Sequence, residues 1–213
     1  NGTNNYLEAP NASSLNVTLI TISVWVYLTA TSSYNPVVSK ANTSNNTGYW
    51  LNINPVGNNR TIRFIVGNGS TYGDTLSTGS AVTLNAWHHI VTTYDGANLQ
   101  TYLDGASNST KAFAGGLTTP TNKTLRIGTD DALDGYVTGT IDEVGIWNRV
   151  ITGAEITALY NSGAGKQYPF ATNQTSNVLE VQNSSAGITD SFNGRGDLTL
   201  TPDAVSLATA GAH

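Results

Sequence analysis

The carboxylic acids and histidines are the side chains that could catalyse a reaction, and they are few in this chain. Retaining glycoside hydrolysis needs two carboxyl groups about 5–5.5 Å apart, yet the sequence has only four glutamates and no Glu-x-Asp-x-Glu strand. His88 and His89 are adjacent, cysteine is absent, and no set of Ser, His and Asp residues suggests a nucleophile with its base. The sequence therefore predicts that the protein is not an enzyme.

The tryptophans could bind a ligand by stacking rather than by reacting with it. Trp25, Trp87 and Trp147 lie in segments with strand-like alternation, and we interpret them as core or sheet-face residues. Trp50 follows Tyr49 and is the aromatic residue predicted to bind carbohydrate.

Asparagine offers a third kind of chemistry, because Asn-x-Ser/Thr is the acceptor sequence for N-linked glycans. The chain has eleven such sequons. Either an Asn- and Thr-rich surface contains them by chance, or the protein is a glycosylated extracellular one, secreted or held at the cell surface. We adopt the second interpretation. Besides Asn1, the predicted glycosylation sites are Asn11, Asn16, Asn42, Asn45, Asn59, Asn68, Asn108, Asn122, Asn173 and Asn183.

Composition excludes two classes of partner. The net charge is −5, and the nine basic residues are scattered, so the chain lacks the basic patch of a nucleic-acid-binding protein. No apolar run approaches the ~20 residues that a membrane-spanning helix requires. Charged residues make up only 11% of the chain and hydrophobic residues 38%, which together with many turn-forming residues favours an all-β protein.

Short alternating segments separated by turn residues run along most of the chain and predict strands that must position these side chains. They are residues 20–26, 49–53, 62–66, 87–94, 99–103, 125–127 and 139–147. The dipeptides Asp95-Gly96 and Asp104-Gly105 close two of them and predict hairpin turns. The one helix predicted spans about 152–160, because Thr152 and Glu155 form a capping box.

The order of these segments resembles the laminin-G-like jelly-roll domains of the concanavalin A-like superfamily. The resemblance covers about residues 5–165 and is carried by ITISVWV at 20–26, NAWHHIV at 85–91, YDG at 94–96, YLDG at 102–105, LRIG at 125–128, GTIDEVGIWN at 139–148 and EITALY at 155–160. It implies an all-β fold in which two antiparallel sheets form a jelly-roll sandwich with one short helix. It also implies a structural Ca²⁺, for which Asp142 and Asp190 match the expected ligand positions.

The chain departs from the family pattern at its two ends. The family begins with a segment whose counterpart here lies at the C-terminus, at 190–207, whereas Asn1 falls in the middle of the pattern. We therefore predict a jelly roll over 1–170, a polar linker over 171–189, and a strand-bearing tail over 190–213. The tail either folds back into its own domain or fills the vacant strand position of the next copy.

Two functions follow from this arrangement. In the preferred interpretation, the chain is an extracellular structural glycoprotein that polymerises with copies of itself, head to tail, into a filament by β-strand donation. The residues predicted to be buried in the neighbouring subunit are Leu198, Leu200, Val205 and Leu207. The alternative is a carbohydrate-binding or adhesion module of a secreted protein, with glycans as its partners.

Overall fold

The computed structural model describes residues 4–30, 34–56, 59–76, 82–165, 177–184, 187–189, 197–201 and 204–208, with side chains described for 4–30, 34–54, 60–76 and 82–165. Strands dominate this part of the chain. They are β1 (Leu7–Ala9), β2 (Ile20–Leu28), β3 (Asn35–Asn42), β4 (Thr47–Val56), β5 (Asn59–Asn68), β6 (Tyr72–Leu76), β7 (Trp87–Tyr94), β8 (Asn98–Leu103), β9 (Ala106–Ala112), β10 (Leu125–Ile127), β11 (Gly139–Trp147), β12 (Asn177–Ser184), β13 (Gly187–Thr189), β14 (Asp197–Thr201) and β15 (Ala204–Ala208).

The strands form two antiparallel sheets of a jelly-roll sandwich, as the sequence predicts. One sheet has the order β1-β10-β3-β4-β5-β6, and the other has the order β13-β12-β11-β2-β7-β8-β9. All pairings between neighbouring strands are antiparallel.

The core lies between the inner faces of the two sheets. On β2, Ile20, Ile22 and Val24 alternate into this core, because successive side chains of a strand point to opposite faces. The odd-numbered residues of β2 therefore lie on the outer face of the seven-stranded sheet. Trp25 is one of them, which is why a residue in a hydrophobic strand can still line a surface site.

The predicted turns and helix are confirmed. Asp104 and Gly105 both have positive φ, 51° and 77°, which suits a two-residue turn between β8 and β9. Thr152 is the N-cap of helix α1 (Gly153–Tyr160), and the reciprocal hydrogen bonds of a capping box join Thr152 and Glu155.

Helix α1 covers part of the outer face of the seven-stranded sheet. Ile156 and Leu159 pack on Val91, Trp147 and Ile151 in a second apolar cluster. The loop that follows α1 forms one wall of the site described below. No helix in the described part of the chain is long and apolar enough to cross a membrane.

Four strands escaped sequence-based prediction in the first 170 residues, namely β1, β3, β6 and β9. Strand β9 is mostly exposed and polar, and β6 carries a glycine, so neither has the hydrophobic alternation that indicates a strand. Lys40 on β3 is wholly buried, and its Nζ donates to the Pro120 carbonyl at 2.6 Å. A buried lysine within a strand breaks the expected pattern.

The C-terminal tail also contains strands. β12 and β13 lie within the segment interpreted as a linker, and β12 pairs with β11 through Val144↔Val181 and Ile146↔Leu179. β14 and β15 pair with each other. Among the described residues, this hairpin joins neither of the two large sheets.

Candidate functional site

A groove of about 170 Å³ opens on the outer face of the seven-stranded sheet. Three strands and one loop build it: Trp25 comes from β2, Trp87 from the start of β7, Asp142 and Glu143 from β11, and residues 163–165 from the loop after α1. Two aromatic and two acidic side chains therefore share one concave surface.

Both carboxylates can line the groove because β11 is irregular at this point. Adjacent residues of a regular strand point to opposite faces of the sheet. Here the register between β11 and β2 shifts between Asp142 and Gly145, and Glu143 has a φ of 48°. Asp142 Oδ1 also accepts a hydrogen bond from the Glu143 amide at 2.8 Å. Such bulges re-aim side chains and are common beside functional sites.

The groove rests on a stack of three rings. The centroids of Trp25 and His89 are 5.1 Å apart, those of Trp25 and Tyr160 are 5.9 Å apart, and the planes are within 29° of parallel. His89 is fixed by a 2.8 Å hydrogen bond between its Nε2 and the Ser23 hydroxyl. Burial lowers the pKa of His89 to about 4, although Asp104 nearby acts in the opposite direction. His89 is therefore a neutral, rigid support at neutral pH.

The Ser23–His89 pair has the residue types of a nucleophile and a base, but not the access. Both side chains are buried, with Ser23 2% and His89 1% exposed, so a substrate cannot reach the Ser23 hydroxyl. The adjacent His88 bonds Asp104 through Nδ1 at 2.9 Å. Asp104 also accepts from the His89 amide, which ties the turn after β8 to β7.

Trp25 and Trp87 differ in how much of each residue is exposed to solvent. Trp87 is 43% exposed, and its ring lies 5.6 Å from that of Tyr27. Trp25 is only 7% exposed, and its buried indole Nε1 has no hydrogen-bond partner among the described residues. A buried N–H without an acceptor costs free energy. The groove thus has an apolar platform at Trp87, whereas the Trp25 N–H is buried beneath the surface.

The wall opposite the strands consists of small residues. Gly163 and Gly165 have φ values of 92° and 67°, which allow the chain to turn sharply after α1. A Cβ atom at Gly165 would lie 3.1 Å from both carboxylate oxygens of Glu143. Glycine here lets the loop approach the acidic side of the groove closely.

Trp50, predicted to bind carbohydrate, lies outside this groove. It is on β4, in the other sheet, where it is 7% exposed and packs with Ala41 and Ile65. Its ring is 6.4 Å from that of Tyr72. Most of its surface is therefore already covered by the protein.

The structure describes only one of the two residues predicted to bind calcium. Asp142 lies on β11 in the groove, and Asp190 lies outside the described residues. Calcium takes six to eight oxygen ligands, and the described part of the chain contains no group of three or more His, Asp or Glu residues arranged to hold a metal. The pairing of Asp142 with Asp190 stays a prediction.

The predicted glycosylation and assembly residues are distributed over the described chain and beyond it. Asn11, Asn45 and Asn122 are exposed, and Asn16, Asn42, Asn68 and Asn108 are partly buried. The side chains of Asn59, Asn183, Leu198, Leu200, Val205 and Leu207 lie outside the described residues, as does Asn173 altogether. In the backbone, Leu198 pairs with Leu207, and Leu200 pairs with Val205.

Sequence reasoning missed Trp87 and Glu143 as site residues. The Asp142-Glu143 dipeptide was a usable signal, because two consecutive acids inside a hydrophobic strand are unusual unless a bulge intervenes. Trp87 gave no such signal, since an exposed and a buried tryptophan look alike in an alternating segment.

Comparison with solved structures finds the same fold at low sequence identity. Domain 4 of AbnA, a GH43 extracellular arabinanase from Geobacillus stearothermophilus solved with arabinotriose, has a TM-score of 0.57 at 19% identity, covering 72% of this chain and 71% of that one. A protein from Bacteroides ovatus assigned as carbohydrate-binding has a TM-score of 0.68 at 15% identity, covering 99% and 60%. A heptameric pentraxin from Limulus polyphemus has a TM-score of 0.52 at 12% identity, covering 73% and 81%.

No curated protein sequence matches the chain. A family model does match, over residues 1–157, and its description is the concanavalin A-like lectin/glucanases superfamily. The matched range contains all of β1 to β11 and the start of α1, including the strands that build the groove. The chain therefore belongs to the concanavalin A-like lectin/glucanase superfamily.

Proposed function

We propose that the protein is a non-catalytic carbohydrate-binding module and that the groove on its seven-stranded sheet is the binding site. The observation that carries this proposal is the exposed face of Trp87 beside two carboxylates. Small-molecule sites combine apolar surface with a few convergent polar groups that fix orientation. A sugar ring presents one apolar C–H face and a rim of hydroxyl groups, which suits this combination.

The polar groups of the groove are complementary to hydroxyl groups. Asp142 and Glu143 accept hydrogen bonds, and each carboxylate has about four acceptor positions. A hydroxyl group can donate to a carboxylate, so the hydroxyl groups of a sugar suit this acidic surface.

Two of the structural neighbours support this proposal. One was solved with arabinotriose and another is assigned as carbohydrate-binding. At 19% and 15% identity they share the fold with this chain, so the choice of site rests on the groove's own residues.

The test is binding of a sugar panel by isothermal titration calorimetry, beginning with arabinose and arabinotriose and including glucose, galactose and mannose oligosaccharides. We expect Trp87→Ala to weaken binding by about 30-fold or more, the effect of losing an aromatic hot spot. Tyr72→Ala is the matched control, since Tyr72 is 46% exposed but lies on the other sheet. Equal loss in both variants, or no sugar bound by the wild type, contradicts the proposal.

We propose strand donation as a second function. Two features support it: residues 190–207 match the family segment expected before Tyr6, and the β14–β15 hairpin joins neither large sheet among the described residues. Strand β1, at one end of its sheet, exposes Leu7, and an unpaired edge strand can bind a strand from another chain. Each subunit would then donate at one end and accept at the other.

Electron microscopy and light scattering test this second function. Deleting 190–213 should abolish ordered filaments, and adding that segment as a peptide should restore a soluble monomer. A full-length chain that stays monomeric at high concentration excludes polymerisation and leaves the binding module.

Glycosylation, extracellular location and calcium binding complete the proposal. The exposed sequons Asn11, Asn45 and Asn122 are the most accessible described acceptors. An intact mass equal to the bare 22.3 kDa polypeptide, measured on protein from its natural source, would contradict glycosylation. If Asp142 and Asp190 share a Ca²⁺, it stabilises the folded state by mass action, so EDTA should lower the melting temperature.

A further inference from the structure

The outer face of the seven-stranded sheet continues past Trp87, beyond the groove. We infer that Tyr27 forms a second stacking position beside Trp87, and that the site therefore binds a chain of at least two sugar residues, one on each ring. This inference rests on the proposed carbohydrate-binding function and adds to it the length of the recognised ligand and a residue that determines this length.

Strand register places Tyr27 next to Trp87. Tyr27 on β2 pairs with Trp87 on β7 and with Thr140 on β11, and residues directly opposite each other on neighbouring strands share one face of the sheet. These three side chains therefore form one row across the outer face. Trp25 pairs with Asp142 in the adjacent row, and both line the groove. Tyr27 thus lies one step further along β2, just outside the groove.

Helix α1 ends beside the groove and leaves this row accessible. Its last residue, Tyr160, stacks with Trp25 and His89 in the row that lines the groove. In the next row, Trp87 is 43% exposed and Tyr27 is partly buried, so both rings present surface to solvent. A ligand that occupies the groove at Trp87 can therefore extend over Tyr27.

The tilt between the two rings determines how many sugar residues they can hold. Their centroids are 5.6 Å apart and their planes are inclined by 58°, an arrangement that suits neighbouring aromatic side chains. A sugar ring stacked on Trp87 is inclined to the Tyr27 ring by the same angle, so one flat ring cannot stack on both. Two sugar rings joined by a glycosidic bond can turn relative to each other and stack on both side chains at once.

The second position also offers polar groups. The phenolic hydroxyl of Tyr27 can donate and accept hydrogen bonds, and Thr140, its exposed neighbour in the row, carries another hydroxyl. These uncharged groups suit the hydroxyl rim of a neutral sugar residue. The row therefore combines stacking with hydrogen bonding, as the site of an oligosaccharide requires.

The experiment compares two chain lengths in the wild type and in Tyr27→Thr, which removes the ring but keeps a β-branched residue that suits a strand. NMR titration, which detects weak binding, gives the Kd of the methyl glycoside and of the disaccharide of the sugar that binds best in the panel. In the wild type, the disaccharide should bind about 5-fold or more tightly than the methyl glycoside, the effect of one added aromatic contact. In Tyr27→Thr the disaccharide should lose this advantage, while the methyl glycoside keeps its wild-type affinity.

Two further variants are controls. Tyr27→Phe keeps the ring and loses only the hydroxyl, so it should retain most of the advantage of the disaccharide. Trp87→Ala should weaken both ligands, because Trp87 belongs to the groove as well as to the row. Since Tyr27 packs against Trp87, the methyl glycoside also reports whether Trp87 keeps its position in Tyr27→Thr. If Tyr27→Thr does not fold, the wild-type comparison of the two chain lengths still decides the number of rings.

The outcomes separate the two proposals. Equal wild-type affinities for the methyl glycoside and the disaccharide overturn the two-ring inference and leave the binding module. An advantage of the disaccharide that survives in Tyr27→Thr overturns the role of Tyr27. So does a Tyr27→Thr variant that weakens both ligands by the same factor, because Tyr27 would then act only by supporting Trp87. Absence of any Trp87-dependent sugar binding overturns the carbohydrate-binding function and this inference with it.

Discussion

Acid should destabilise this protein through His89, over a pH range that the structure defines. Burial lowers the pKa of His89 from its ordinary 6.5 to about 4. Between these values the unfolded chain binds a proton that the folded chain does not, so the free energy of unfolding falls as pH falls from 6.5 to 4. Each pKa unit corresponds to about 1.4 kcal/mol, which gives a loss of about 3 kcal/mol. Above pH 6.5 this contribution is fully present.

Urea denaturation followed by tryptophan fluorescence measures this effect, at half-unit steps from pH 7.5 to 4. The matched variant is His89→Gln, which keeps a polar side chain next to Ser23 but cannot titrate. It should be less stable at pH 7 yet lose about 3 kcal/mol less than the wild type on acidification. Other titrating groups are common to both proteins and cancel in the difference. Parallel curves for the two proteins would refute the assignment of acid sensitivity to His89.

Three further predictions concern other parts of the structure. Burial lowers the pKa of Lys40 to about 8. Between pH 8 and 10 the folded state alone loses this proton, so the free energy of unfolding should rise by up to about 3 kcal/mol. Lys40→Met should flatten this rise in the same denaturation assay. Glu143→Gly should raise the free energy of unfolding by up to about 1 kcal/mol, because glycine accepts the 48° φ without strain, while calorimetry shows weaker sugar binding. Trp147→Ala should lower the free energy of unfolding by about 3–5 kcal/mol, because this buried ring supports α1; a loss below 1 kcal/mol would contradict that role.

The sequence predicted most of the fold for reasons that are local. Alternation over 20–26 and 87–94 corresponds to β2 and β7, and the capping box at Thr152 marks the start of α1. Period-two alternation and capping depend on residues near one another in the chain, so they can be read without knowing the partner strands. Strand β9 lacks such a pattern, since it is polar along its length and is held by pairing with β8.

The sequence predicted the candidate site only in part. It predicts Asp142 as a calcium ligand and Trp50 as the carbohydrate-binding aromatic residue, whereas the groove proposed as the site is lined by Asp142 and Trp87. Exposure of a tryptophan depends on what packs over it from elsewhere in the chain. Trp50 is covered by neighbours on its own sheet, whereas Trp87 stands at the start of its strand with much of its ring exposed.

The sequence by itself therefore determined the strands with clear alternation, the turns, the helix and the family, because each depends on nearest neighbours or on the order of motifs. Only the tertiary structure decided which side chains share a surface. Contacts between β2, β7, β11 and α1 produce two of these features. One is the bulge that turns both Asp142 and Glu143 into the groove, and the other is the ring stack that includes His89. These residues are up to 135 positions apart, from Trp25 to Tyr160, and no local pattern records such a contact.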